Sequence, residues 1–188
     1  MNETKILMSG IGGQGVQLAS KTLAYAAIAC GMEAMVFGTF GGSMRGGNTD
    51  VDMVISSTPI RTPPVLDEAN AALVMHHDGW AHVAERMLPG GVVLVDSSVF
   101  RGDWSLASIR VVPLFASTMA TELGQPRGGS MVALGGFAAA TGLVPLEALL
   151  EAASEVLPSY RRQHVEANQR ALKAGYAALA HAGEEPVA

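Results

Sequence analysis

The sequence predicts an α/β fold: three layers, α/β/α, around a mostly parallel but mixed sheet, with a helical C-terminal part. Three observations predict it. Short aliphatic runs suited to buried strands, Lys5–Ser9, Ala71–Met75 and Val92–Val95, alternate with helical stretches, the pattern of parallel βαβ units. The chain is 49% apolar, 15% charged and has a mean hydropathy of +0.29, enough apolar surface to offset the entropy of ordering it and to exclude disorder. Its 188 residues fit one domain, expected over 1–188, with an α/β core over about 1–125 and a helical part over about 126–182.

Taken in order, Lys5–Ser9 reads as a strand, Gly10-Ile11-Gly12-Gly13-Gln14-Gly15 as a turn, and Val16–Cys30 as a helix with Gly31 as its C-terminal stop. A second strand is expected at Ala34–Phe37. Residues 38–47 hold five glycines in ten, a density no regular element tolerates, so they form a loop whose backbone approaches something closely. Thr49–Ser57 alternates, with Thr49, Val51, Met53 and Ile55 on one side and Asp50, Asp52, Val54 and Ser56 on the other. That predicts a half-exposed antiparallel strand near an edge. Pro59, Pro63 and Pro64 force an extended connection. Ala71–Met75 is a buried strand, Asp78–Leu88 a helix, Pro89-Gly90-Gly91 a turn, and Val92–Val95 and Ile109–Leu114 two further strands. Helices follow at Ser117–Leu123, Ser130–Thr141, Pro145–Val156 and Tyr160–His181, with Pro145 suited to a first turn and Gly124 and Gly142 to helix ends. Gly183–Ala188 reads as a frayed tail.

Composition excludes several functions. Twelve Lys plus Arg against seventeen Asp plus Glu, a formal charge of −5, oppose nucleic-acid binding, which needs clustered cations. One cysteine, Cys30, excludes a disulfide framework, a CxxC pair and an iron–sulfur cluster held by this chain alone. The smoothest apolar stretch, Met131–Val144, is shorter than the roughly 20 residues a bilayer span needs, and no apolar leader precedes the first strand. A soluble cytoplasmic protein without membrane contact is expected.

Gly10-x-Gly12-x-x-Gly15 matches the dinucleotide fingerprint of Rossmann-like domains and stands between a strand and a helix, where a helix N-terminus can hold an anion. The fingerprint also wants an acid about 20 residues on, at the end of the second strand. Here that strand ends Val36-Phe37-Gly38-Thr39, and Glu33 stands at its wrong end, so glycines serving helix–strand packing compete with a nucleotide reading. In the second loop a single cation, Arg45, precedes Gly46-Gly47. Its guanidinium suits phosphate or carboxylate, or it forms a structural ion pair with Asp50 or Asp52. His76-His77-Asp78 and Asp96-Ser97-Ser98 fall at strand ends on the edge where α/β sheets place ligands. Adjacent histidines in extended chain face opposite ways, so no metal site is expected and a solvated strand end is the plainer reading, while Asp96-Ser97-Ser98 either lines the ligand edge or forms a polar turn. Arg161, Arg162, His164 and Glu166 read as a charged exposed face, and Asn168, unfavourable in mid-helix, as a specific hydrogen bond. There is no nucleophile elbow, HExxH or Walker lysine.

Together these segments resemble the γ subunit of the 2-oxoacid:ferredoxin oxidoreductases, the pyruvate and 2-oxoglutarate ferredoxin oxidoreductase family. The resemblance is carried by Gly10-Ile11-Gly12-Gly13-Gln14-Gly15-Val16, Met44-Arg45-Gly46-Gly47, Ile55-Ser56, Pro59-Ile60 and Pro63-Pro64. It continues through Leu88-Pro89-Gly90-Gly91, Val95-Asp96-Ser97-Ser98, Ala120-x-Glu122-Leu123-Gly124, Met131-Val132-x-Leu134-Gly135 and Asn168-x-x-Ala171-x-x-x-Gly175-Tyr176. It covers nearly the whole chain in order and is most like the 2-oxoglutarate branch. It implies a non-autonomous subunit of an enzyme that converts a 2-oxoacid, coenzyme A and an oxidised acceptor to acyl-CoA, carbon dioxide and reduced acceptor. Thiamine diphosphate would lie between α and β subunits, iron–sulfur clusters on β or a ferredoxin-like δ subunit, and ferredoxin would take the electrons. This chain would bind no cofactor alone. Gly10, Gly12, Gly13, Gln14 and Gly15, with Arg45, Gly46 and Gly47, would face coenzyme A or the catalytic subunits. The alternatives are a free-standing NAD-type nucleotide module and a purely structural subunit.

Overall fold

The computed structural model describes residues 3–40 and 47–180. Six strands and six α-helices follow one another as β1 (Glu3–Ile11), α1 (Val16–Ala29), β2 (Glu33–Phe40), β3 (Asn48–Ser56), β4 (Ala69–Val74), α2 (Trp80–Ala84), β5 (Met87–Asp96), β6 (Arg110–Leu114), α3 (Ala116–Glu122), α4 (Gly129–Thr141), α5 (Leu146–Glu155) and α6 (Val165–Ala180). Short 3₁₀ segments, His77–Gly79 and Ser159–His164, precede α2 and α6. The sheet order is β2-β3-β1-β4-β5-β6. β1, β4, β5 and β6 run parallel to their neighbours in that half, while β3 is antiparallel to both β1 and β2. This is the mixed α/β sheet the sequence predicts.

Gly38, Thr39 and Phe40, expected in the glycine loop, instead continue β2, because they pair with Thr49–Val51 of β3. Two further elements differ from expectation. β3 is antiparallel and stands next to the edge strand β2, as expected, but it is not half-exposed: every residue from Val51 to Ser56 is buried. Its alternation is genuine, since Val51, Met53 and Ile55 join the core on one face and Val54 the core on the other. The second face escapes solvent because the chain after β3 folds over it, placing Leu66 on Val54's side of the sheet. The backbone N–H of Leu66 donates to Asp52 Oδ2 at 2.8 Å, and Arg86 Nη2 meets the same oxygen at 2.7 Å. The helix expected over Asp78–Leu88 shrinks to a 3₁₀ turn and the five residues of α2, because β5 already starts at Met87. Pro89-Gly90-Gly91 therefore lies within the strand. A register shift between Ala69 and Ala71 absorbs the irregularity, and Gly90 N–H donates to Ser108 C=O at 2.7 Å.

The sheet's faces are covered unequally. Over one, α1, α3, α4, α5 and α6 bury Ile6, Met8, Leu23, Leu134, Phe137, Leu149 and Leu172 in one continuous core. Here α4 and α6 touch backbone to backbone: a Cβ on Gly175 would lie 1.8 Å from Val132 C=O, and one on Gly135 2.1 Å from Leu172 C=O. No side chain fits at either position, so the small residues of this region set the interhelical distance. The other face carries only α2 and extended chain, with Leu66, Val83 and Phe100 over Leu7, Val54, Val93 and Val95.

Candidate functional site

The carboxyl ends of β1, β4, β5 and β6 lie along one edge, the place where open α/β sheets bind ligands. β1 delivers the glycine turn there. Gln14 braces it: its Oε1 accepts from Ile11 N–H at 2.9 Å and its Nε2 donates to Met75 C=O at 3.0 Å, tying the turn to the end of β4. Gly10 lies beneath that amide, where an added Cβ would meet Gln14 Oε1 at 2.8 Å. Gly15, the N-cap of α1, has φ +86°, and its missing Cβ makes room for Ser130 Oγ at the start of α4. Gly10 and Gln14 thus hold the turn's shape, while Gly12, Gly13 and Gly15 line a cavity of about 430 Å³ in front of it.

The structure brings the two predicted loops together. Gly12 N–H donates to Gly47 C=O at 2.9 Å, so the return of the second glycine loop is stitched to the first, and Thr49 lines the same cavity. Arg45 and Gly46 lie outside the described residues. Asp50 and Asp52, the acids considered as partners for Arg45, have these contacts among the described residues. Asp50 accepts from Ser9 Oγ at 2.5 Å and from Asn48 Nδ2 at 3.0 Å, and Asp52 holds Arg86.

His76 and His77 do not face opposite ways. His76 is extended (φ −152°, ψ 146°), but a 3₁₀ turn begins at His77, and this change of direction brings the rings to 4.2 Å. Both lie against Asp78, His76 Nδ1 at 3.2 Å and His77 Nε2 at 3.1 Å, so the three side chains form one cluster at the sheet edge. Asp96, fully buried, accepts from Ser98 N–H at 3.1 Å and from the N–H and hydroxyl of Ser117. It fastens the start of α3 to the end of β5, a structural task.

Sequence reasoning missed a second cavity of about 560 Å³ adjoining the first, with Leu18, Leu157 and Arg161 lining both. Arg127 and Asn168 line it, and Lys21 lines the first. Arg161 is thus not simply part of a solvated face. The signal was present: Arg127-Gly128-Gly129 repeats the Arg45-Gly46-Gly47 pattern, again with a cation ahead of a glycine pair.

A dinucleotide reading does not fit the topology. In a dinucleotide-binding sheet the strand after the glycine turn lies beside the first and offers its acid to the ribose. Here β3 stands between β1 and β2, moving the end of β2 a further strand spacing of about 4.8 Å away. Glu33, at the far end of β2, accepts from Ile60 N–H at 2.9 Å.

Fold and turn define a Rossmann-like α/β protein with an antiparallel strand inserted beside the glycine turn. The chain belongs to the pyruvate ferredoxin/flavodoxin oxidoreductase family, whose profile matches residues 5–178. It is similar to the γ subunit of a keto/oxoacid ferredoxin oxidoreductase from Geobacter sulfurreducens. The TM-score is 0.80 at 28% identity, over 98% of this chain and 100% of that one. It also shares the fold of the 2-oxoglutarate:ferredoxin oxidoreductase of Magnetococcus marinus, a structure with 2-oxoglutarate, coenzyme A and succinyl-CoA bound. There the TM-score is 0.85 at 23% identity, over 97% of this chain but 32% of that one. With the ketoisovalerate oxidoreductase subunit VorA of Methanothermobacter thermautotrophicus it is 29% identical over 133 residues, 71% of this chain and 27% of VorA. The chain thus spans about a quarter to a third of these two longer relatives and the whole of the Geobacter γ subunit.

Proposed function

We propose that this chain is the γ-type subunit of a multi-subunit 2-oxoacid:ferredoxin oxidoreductase, and that within the complex it holds coenzyme A while other subunits perform the chemistry. One observation carries the reading: the chain corresponds end to end with a solved γ subunit. The site agrees with it. The carboxyl edge offers a braced glycine turn and an open cavity, and the histidines and Asp96 nearby are occupied by neighbours of their own. Catalysis then belongs to partners. Thiamine diphosphate between α and β would supply the carbanion chemistry of decarboxylation, iron–sulfur clusters on β or a δ subunit would carry electrons to ferredoxin, and the assembly would work in the cytoplasm. This chain's part is to fix the coenzyme A phosphates with Gly12, Gly13, Gly15 and Arg45, so that the thiol reaches the acyl group formed next door.

The test is reconstitution. The isolated chain should not decarboxylate any 2-oxoacid, and turnover by it alone would overturn the subunit reading. In the assembled complex Arg45→Ala should raise KM for coenzyme A about tenfold with kcat retained, the loss expected for one charge-assisted hydrogen bond. An unchanged KM would remove Arg45 from this role.

A further inference from the structure

His76, His77 and Asp78 stand where β4 gives way to α2 and take no part in the function proposed above. On extended chain their side chains would diverge; the 3₁₀ turn that begins at His77 makes them converge. His76 Nδ1 is 3.2 Å from Asp78 Oδ2, His77 Nε2 is 3.1 Å from Asp78 Oδ1, and one polar atom from each residue lies within 4.8 Å of the other two. Donor atoms around a tetrahedral metal with bonds of about 2.0–2.1 Å stand about 3.3 Å apart. Each histidine is therefore already at coordination spacing from the carboxylate. The remaining closure, about 1.5 Å at most, falls to His77 and Asp78, whose side chains are 41% and 57% exposed and have room to turn.

The backbone beneath the cluster is fixed. Met75 N–H donates to Ser9 C=O at 2.7 Å and Met75 C=O accepts from Gln14 Nε2 at 3.0 Å, so the residue ahead of His76 is held from both sides. Behind the cluster, Gly79 N–H closes the turn on His76 C=O at 3.2 Å. A Cβ on Gly79 would lie 2.0 Å from Ser9 Oγ, so the turn is seated directly on β1. The donor atoms also lack a fixed cation: among the described residues no Lys or Arg is within ion-pair distance of Asp78, and its partners are the two histidines. Asp78 N–H donates to His76 Nδ1 at 3.3 Å, which selects the tautomer with the proton on Nε2 and a lone pair on Nδ1. That lone pair then stands against Asp78 Oδ2, acceptor facing acceptor. A proton relieves one such contact at a time, whereas a single divalent cation satisfies all three donors together.

We propose that His76, His77 and Asp78 form a binding site for a divalent transition-metal ion of the zinc class, ligated by His76 Nδ1, His77 Nε2 and one oxygen of Asp78. The donor set selects the ion. Calcium and magnesium take oxygen ligands, while two imidazoles and a carboxylate suit zinc and its neighbours. Three protein ligands leave the fourth position open to water. The site is independent of the coenzyme A reading above and stands or falls without it.

Titration of the full chain with zinc chloride, followed by calorimetry, should show one strong site per chain. His77→Ala and Asp78→Asn, both at exposed side chains, should each weaken it by at least about tenfold. His164→Ala, at an exposed histidine ahead of α6, should leave it unchanged. Co²⁺ serves as a coloured stand-in: held by three protein ligands and a water it gives the strong visible absorption of a tetrahedral ion, and His77→Ala should abolish that band. The urea midpoint of the parent chain should rise with zinc, because the ion binds the folded state, and that of His77→Ala should not. Zinc affinity indifferent to both His77→Ala and Asp78→Asn overturns the site, as does a Co²⁺ spectrum no stronger than that of the aqueous ion. A strong site lost in His164→Ala but kept in His77→Ala places the metal elsewhere and overturns it too. An equal rise in urea midpoint for parent and His77→Ala does the same.

Discussion

The two faces of the sheet are held by different physics. The helical face is closed by absence: Gly135 and Gly175 let α4 and α6 approach until backbone meets backbone, and a single added methyl has no space. The thin face is closed by polar stitches across extended chain. Asp52 takes Leu66 N–H and the Arg86 guanidinium, Arg86 also reaches Leu66 C=O, and Glu3 accepts from the N–H groups of Arg61 and Thr62. The contrast teaches where precision is needed. The two adjoining cavities are bordered by α1 and α6, helices of the tightly packed face, so those walls have little freedom to shift. The thin face carries no such demand and can rely on hydrogen bonds.

The strongest way to break this contrast is Asp52→Ala. It leaves Arg86 largely buried without its carboxylate and should destabilise the chain by about 3–5 kcal/mol, measured by urea denaturation. Hydrogen exchange should show loss of protection confined first to β3, Leu66 and α2; uniform loss across α4 and α6 would erase the distinction. Gly175→Ala probes the other face. Forcing a methyl against Val132 C=O should cost about 1–3 kcal/mol and lower the helical circular dichroism midpoint, and a neutral result would mean that the helix pair has slack.

The smallest effect concerns pH. The Arg61 N–H, then the Thr62 hydroxyl, hold the Glu3 carboxyl below the usual carboxylate range. A depressed folded pKa adds stability above the unfolded pKa and loses it as pH falls through the folded one. Glu3→Gln should therefore lower stability slightly at neutral pH and flatten the acid limb, the two proteins converging below about pH 4. An unaltered acid limb would show that this stitch contributes nothing.

The mixed α/β sheet and the helix count were legible because buried strands such as Val92–Val95 and the helices after Leu114 have strong patterns of their own. The place of β3 was not, because alternation reports which residues share a face and says nothing of what covers the polar one. Asp52 looked like a solvent residue until a partner 34 positions away, Arg86, folded over it. The glycine turn was legible as a motif, and the structure divides its labour between bracing residues and lining ones. The second cavity was not legible, since Lys21, Arg127 and Arg161 come to the two adjoining cavities only through the packing of distant segments. Only the repeated Arg-Gly-Gly hinted at it.

Trp80, Phe100 and Trp104 stack edge to face in one run, with ring centroids 5.3 and 5.5 Å apart, on the thin face. Both tryptophans of the chain are in that run, and neither lines either of the two adjoining cavities. The tryptophan fluorescence, excited apart from the tyrosines, is therefore a built-in optical gauge of one layer alone. It will dim or shift when the extended chain lifts from the sheet and stay dark to a phosphorylated ligand settling on the opposite side, so occupancy and integrity can be read in one sample by independent signals.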